Sequence, residues 1–402
     1  MEKLVQKSNF LVRQQSMNFV RSVMNEIPWN ERLIGILGAR GTGKTTLLLQ
    51  HLKKSGALTG ESLYVTADDL FFSNNSLYET IELFRSKGGT NIYIDEIHTY
   101  SQWSRELKNI YDTYPDIRII FSGSSVVDIL RQQTDLSRRA LVYNLPGLSF
   151  REYLSFDQGL NFDSLELDEM LEHHVEMSFD LTEKFKPLAF LPEFFSKGYY
   201  PFYKESPETY FTRIEQIIHH VTERDLAFFD GFDPQNARKI QQLLMIISES
   251  VPFKPNVSKL SERIGINRNT LVQYLHHLHK GKMTNHLTSD SKGISKLQKP
   301  DKIYLENTTL MRALSPNRTD IGNMRETFAL SMLMNSGYIV NLSKNGGDFL
   351  VQRPHGRVTF VVGGKDKSNA QIKGIEHSYI VSDDIENGVG NRIPLWLLGF
   401  LY

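Results

Sequence analysis

A chain of 402 residues carrying 46 Lys plus Arg against 46 Asp plus Glu has room for two or three domains, and no bulk charge draws it to nucleic acid or membrane. The absence of cysteine excludes disulfides, thiolate metal sites and cysteine nucleophiles, and suits a reducing compartment. The N-terminal "MEKLVQKSNFLVRQQ" has no apolar core of signal-peptide length, and the late run "IPLWLLGFLY" is too short to span a bilayer. A soluble, cytoplasmic protein with no membrane partner is therefore expected.

The first strong element pair begins at "RLIGIL", residues 32 to 37, an apolar run that reads as a buried strand. "GARGTGKT", residues 38 to 45, follows it and fits G-x-x-x-x-G-K-[ST]; "KTTLLLQHLKK" then reads as a helix. Glycines at 38, 41 and 43 let the backbone fold round phosphate so that its amides point inward, and the helix N-terminus adds its positive end. The expected nucleotide contacts are Gly38, Ala39, Arg40, Gly41, Thr42, Gly43, Lys44, Thr45 and Thr46. Lys44 is the catalytic cation at the terminal phosphates, and the Thr45 hydroxyl is placed for Mg2+. The bland alternative is a glycine-rich turn.

"SLYVTA" reads as the next strand, and "NIYIDEIH", residues 91 to 98, as a third that ends in two adjacent carboxylates. After such a loop, Asp95 is expected to hold magnesium through water, while Glu96 orients and polarises the attacking water. A simple turn is the competing reading. The order of loop strand, intervening strand and acid-bearing strand matches ATPases with an added catalytic glutamate. No N-K-x-D guanine-reading motif occurs, so ATP is preferred to GTP. "RIIFSGSS", residues 118 to 125, offers Ser122, Ser124 or Ser125 to the γ-phosphate, with a serine-rich turn as the alternative.

"DLSRRALVYNLPGLSFREYL", residues 135 to 154, resembles a prokaryotic AAA+ ATPase family in which an arginine precedes a strand leading into an "LPPLSFREFL"-type segment. Gly147 stands where the second proline is usual. The resemblance puts Arg139 against nucleotide or a neighbouring copy in a homo-oligomer; an arginine paired with a nearby acid is the alternative. "FLPEFFSKGYYPFY", residues 190 to 203, continues the resemblance.

Charge is segregated further along. Glu152 to Glu183 carries ten acids and no Lys or Arg, whereas Lys254 to Lys302 carries ten Lys or Arg, three acids and four histidines. Solvated faces explain such blocks unless a binding motif lies inside. One does. Val257, Leu260 and Ile264 form one helical stripe, "GIN" interrupts it, and Leu271, Tyr274, Leu275 and Leu278 form the next. Two short helices joined by a glycine-containing turn read as helix-turn-helix, with "KIYLEN" as a wing strand. Arg268, Asn269, Lys280 and Lys282 become candidates for DNA, with protein docking as the other use of such a module.

The last part, from "RETFALSMLMNSGY", resembles a domain that accompanies this ATPase and looks like the PD-(D/E)xK nuclease fold. Glu326, Asp348, Lys365 and Gln371 fall on that pattern. The acid usual at the strand start is Val361 here, and position 363 is glycine, so one metal ligand is missing and an inactive domain is expected. The predicted architecture is an α/β chain: a P-loop parallel-sheet ATPase domain (1–155), a helical connector (156–235), a winged-helix domain (236–318) and a small restriction-endonuclease-like α/β domain (319–402). Two functions follow. One is an ATP-hydrolysing enzyme that moves a DNA- or protein-bound module; the other is a slow nucleotide-dependent switch acting on a partner without DNA.

Overall fold

The computed structural model describes residues 1–56, 60–123, 136, 138–229, 231–249, 253–289, 299–316 and 320–402. The chain divides into two compact units, Met1–Gly147 and Leu148–Tyr402. Residues 148 to 155, expected at the end of the ATPase domain, belong to the second unit, which also joins the expected connector, helix-turn-helix and terminal domain.

In the first unit, helix α1 (Glu2–Gln14) precedes strand β1 (Leu33–Leu37), helix α2 (Lys44–Lys54), β2 (Ser62–Thr66), α3 (Leu77–Ser86), β3 (Asn91–Asp95), α4 (Trp103–Thr113), β4 (Arg118–Gly123) and β5 (Leu141–Asn144). The strands make one parallel sheet in the order β2-β3-β4-β1-β5. A parallel sheet covered on both faces needs continuous apolar strands, which is why β1 reads "LIGIL" and is buried throughout. Alternate side chains divide between the faces. Leu33, Leu63, Ile92, Ile94, Ile119 and Phe121 pack with Ile81 and Phe84 of α3 and with Trp103, Leu107 and Ile110 of α4. Ile34, Ile36, Tyr64, Tyr93 and Ile120 pack on the opposite face with Leu47, Leu48 and Leu52 of α2 and with Val12 of α1. A Cβ at Gly35 would lie 2.7 Å from the Phe121 ring, so a larger residue there needs that ring to shift.

The second unit opens with α5 (Phe150–Gln158), capped by a Ser149–Glu152 capping box, and the acidic α6 (Leu167–Thr182). Helices α7 (Pro187–Glu193), α8 (Tyr210–His220) and α9 (Ala237–Glu249) lead to α10 (Val257–Ile264) and α11 (Arg268–Lys280). Gly265 closes α10 in the left-handed conformation with φ of 68°, and Asn267 caps α11. Strands β6 (Thr284–Leu287) and β7 (Lys302–Leu305) form an antiparallel pair after α11. Helices α12 (Thr308–Leu314) and α13 (Ile321–Asn335) follow. The chain ends in β8 (Ile339–Leu342), β9 (Phe349–Arg353), β10 (Gly356–Gly363), β11 (Ser378–Ser382) and β12 (Arg392–Pro394), a mixed sheet in the order β12-β11-β10-β9-β8. Among the described residues no helix is long and apolar enough to cross a membrane.

Candidate functional site

The site begins where β1 ends. Gly38, Gly41 and Gly43 take φ values of 157°, 80° and 94°, so the loop turns through backbone conformations that side chains resist, and it delivers the chain into α2 at Lys44. No side chain caps the start of α2, and Gly41, Thr45 and Thr46 are exposed there. Uncapped amides at an exposed helix start are what an anion needs. Lys44 is only 5% exposed, and its ammonium donates to the carbonyls of Gly38 at 3.0 Å and Ala39 at 2.8 Å. Thr42 is buried, and its hydroxyl donates to the Ala39 carbonyl at 3.0 Å.

Asp95 ends β3, which β4 separates from β1, and it reaches the loop at Thr45. It is buried, and four donors surround it. The Thr45 hydroxyl reaches Oδ2 at 2.5 Å and the Tyr64 hydroxyl reaches Oδ2 at 2.9 Å; the Ser122 hydroxyl donates to Oδ1, as does the Glu96 amide at 3.1 Å. Burial, then the neighbouring Asp95 carboxylate, pushes the Tyr64 phenol far up, which keeps it a donor at any ordinary pH. Thr45, Asp95 and the surrounding hydroxyls make an all-oxygen donor set of the kind a hard cation such as magnesium takes.

Glu96 sits beside this cluster in the left-handed region, with φ 50° and ψ 40°. A non-glycine residue is held there at a cost of about 1–2 kcal/mol, and such strain gathers where a side chain must be aimed. Its amide also lies 3.3 Å from the Ser122 hydroxyl, which helps hold that turn. The buried His98 places Nε2 3.5 Å from Glu96 Oε2. Of the expected serines, Ser122 is at the site; Ser124 and Ser125 lie outside the described residues.

Arg139 pairs with Asp112 of α4, Nε to Oδ1 at 2.9 Å and Nη2 to Oδ2 at 3.0 Å. The acid-paired alternative therefore describes its surroundings. This hydrogen bond holds the Asp112 carboxyl below its usual range. Sequence reasoning missed Tyr64 and His98. The available signal for Tyr64 was a phenol flanked by Leu63 and Val65 in a short strand, since a buried hydroxyl needs a partner.

In the second unit, Arg268 and Asn269 are exposed in the first turn of α11. Lys280 lies at the other end of that helix, about 18 Å along its axis. Its ammonium stands over the Phe229 ring at 5.6 Å. Lys282 is partly buried with φ of 57°. The four candidates thus form two separate groups.

Glu326 and Asp348 come together. The Tyr304 hydroxyl donates to Glu326 at 2.6 Å, the Val362 amide donates to Asp348 at 2.9 Å, and Lys302 Nζ lies 3.9 Å from Asp348. Lys365 and Gln371 are exposed, and the lysines whose charge reaches Glu326 are Lys302 and Lys367. Val361, at the position of the usual acid, is fully buried with Ile372 and Ile380. Among the described residues no group of three or more His, Asp or Glu could hold a metal ion.

Residues 30–154 match the family described as AAA domain, and residues 190–321 match a domain of unknown function, DUF8612. The five-stranded parallel sheet of the first unit is of the kind typical of a P-loop ATPase domain. An uncharacterized protein of Methanocaldococcus jannaschii is 26% identical over 403 aligned residues, spanning 92% of this chain and 85% of the relative. AMPPCP-bound DnaA from Aquifex aeolicus superposes with a TM-score of 0.27 at 12% identity, over 70% of this chain and 89% of DnaA. PCH-2 of C. elegans superposes with a TM-score of 0.25 at 18% identity, over 43% of this chain and 48% of PCH-2.

Proposed function

We propose that the chain binds Mg-ATP in the loop Gly38–Thr45 and hydrolyses it. The observation that carries this reading is the buried Asp95, held by Thr45, Tyr64 and Ser122 directly beside Lys44 and Glu96. The loop amides and the start of α2 bind the phosphates. Lys44 exchanges its two carbonyl acceptors for phosphate oxygens, and a hydrogen bond between charged partners is the stronger one. Thr45 and Asp95 would hold magnesium, which neutralises charge on the phosphoryl group. Glu96 follows Asp95 at the end of β3, with its Oε2 3.5 Å from His98 Nε2, and is the group we assign to orient the attacking water and accept its proton.

The helix-turn-helix is read as a winged helix that touches DNA through the exposed start of α11. The exposure of Arg268 and Asn269 in the first turn of that helix supports the reading, since recognition helices contact DNA through their N-terminal residues. Turnover is the test. Phosphate release from Mg-ATP is measured with and without duplex and single-stranded DNA. Turnover that DNA raises supports both halves of the reading. Turnover indifferent to DNA keeps the ATPase and turns the second unit toward a protein partner. Binding with no turnover leaves the slow switch.

A further inference from the structure

We propose that Arg21 is a positioning residue of the phosphate loop; the inference rests on reading Gly38–Thr45 as a Mg-ATP site. Arg21 lies outside every motif, just before a short turn at Ser22–Asn25, and is 7% exposed. Its Nη1 donates to the carbonyls of Thr42 at 3.1 Å and Pro146 at 3.0 Å. Its Nη2 donates to the carbonyls of Pro146 and Gly147, both at 3.0 Å. One planar fork therefore spans three backbone oxygens from two segments. An ammonium, a point charge on a flexible stem, does not reproduce that fork.

The consequence follows from peptide geometry. The Thr42 carbonyl and the Gly43 N–H belong to one planar trans unit, so they point in opposite directions. A guanidinium that fixes the carbonyl from outside the loop thereby fixes the amide toward the inside, where phosphate is expected. The same cationic bond polarises the peptide and strengthens Gly43 N–H as a donor. Arg21 also ties the loop to the chain just after β5. Gly38 already rests on that segment, since a Cβ on it would lie 2.3 Å from the Leu145 carbonyl oxygen. The first and fifth residues of the loop are thus held against one short stretch, Leu145–Gly147, and Arg21 supplies the second of the two attachments.

The test uses the full chain with Arg21→Lys and Arg21→Gln beside wild type. Mg-ATP and Mg-ADP affinities are measured by calorimetry, kcat and KM by phosphate release, and melting with and without nucleotide. Both variants are expected to weaken ATP and ADP alike by about 10-fold or more, the scale of losing a hydrogen bond to a charged group. KM rises while kcat stays near wild type, because the Glu96 side chain makes no part of this contact. Lysine, which keeps the charge, should not rescue. Wild-type affinities in either folded variant overturn the inference and leave the ATP site standing. A variant that melts earlier yet binds as wild type below its transition makes Arg21 merely structural, which also overturns it. Failure of wild type to bind Mg-ATP overturns both readings together.

Discussion

Replacing Glu96 with glutamine separates nucleotide binding from water activation. The amide matches the carboxylate in size, and the left-handed backbone at φ 50° burdens both side chains equally, so the turn should persist. The bonds that hold this turn run from the Glu96 amide to Asp95 and Ser122 and do not use its side chain. Neither does the set on Asp95 from Thr45 and Tyr64. What is lost is the ability to take a proton, which in positioned bases is worth about 10² to 10⁴ in rate. At about 1.36 kcal/mol per tenfold, that is roughly 2.7–5.4 kcal/mol of barrier. The measurements are kcat by phosphate release and Mg-ATP affinity by calorimetry. A fall in kcat of about 100-fold or more with affinity kept within about 3-fold is expected. Unchanged turnover would refute the assignment of Glu96 as the base. Lost affinity with unchanged kcat would make it a binding group instead.

Lys44→Ala should abolish measurable Mg-ATP binding in a chain that still folds, and retained wild-type affinity in calorimetry would remove the loop from the site. Tyr64→Phe deletes one of the donors on the buried Asp95, an interaction with a charged group worth about 1.5–3 kcal/mol; the first unit should melt earlier, and an unchanged melt by calorimetry would show that the phenol adds nothing. For DNA, Arg268→Ala should reduce the log–log salt slope by about 0.9, while Lys280→Ala, whose ammonium already rests on Phe229, should change it less; anisotropy titrations at two salt concentrations decide, and equal slopes in wild type and Arg268→Ala would take that side chain off the phosphates.

How much of this could be read from the residues depends on how far apart the partners lie. The loop and the acid pair were legible because phosphate chemistry demands those residue types in short consecutive runs. The helix pair Val257–Ile264 and Arg268–Lys280 was legible because its stripes are local: Val257, Leu260, Ile264, Leu271, Tyr274, Leu275 and Leu278 are all buried as their spacing predicts. Tyr64 was not, since in β2 it looks like one more apolar position, and only the neighbouring strand brings Asp95 to it. Arg21 was still further from view, because its acceptors at Pro146 and Gly147 lie more than a hundred residues away and are backbone atoms with no sequence signature. The left-handed turn at Glu96 was hidden for a related reason. Without a glycine, nothing in "IDEIH" announces a positive φ.

The pair Glu326 and Asp348 gives the second unit a pH dependence of its own. With Val361 in an apolar cluster, the two carboxylates are left to Tyr304, Lys302 and Lys367. Burial, then the Asp348 charge, raises the Glu326 carboxyl above its ordinary value, and the lysines only partly oppose this. The sign of the pH effect follows. A carboxyl that is harder to ionise in the folded chain binds its proton more tightly there than when unfolded, so this contribution is fully present below the ordinary carboxyl range. It is lost as pH rises through the raised folded value. Glu326→Gln keeps an acceptor for the Tyr304 hydroxyl and removes the ionisation. The second unit should therefore melt higher than wild type at neutral pH, and the difference should close as pH falls below the ordinary glutamate range of about 4.3, where Glu326 is protonated in both states. Magnesium alone should leave the melt of the second unit unchanged, because the Tyr304 hydroxyl, the Val362 amide and Lys302 already engage the two carboxylates. A melt of the second unit that rises with magnesium in wild type but not in Glu326→Gln, or a Glu326→Gln variant less stable at neutral pH, would refute this account and favour the pair as metal ligands.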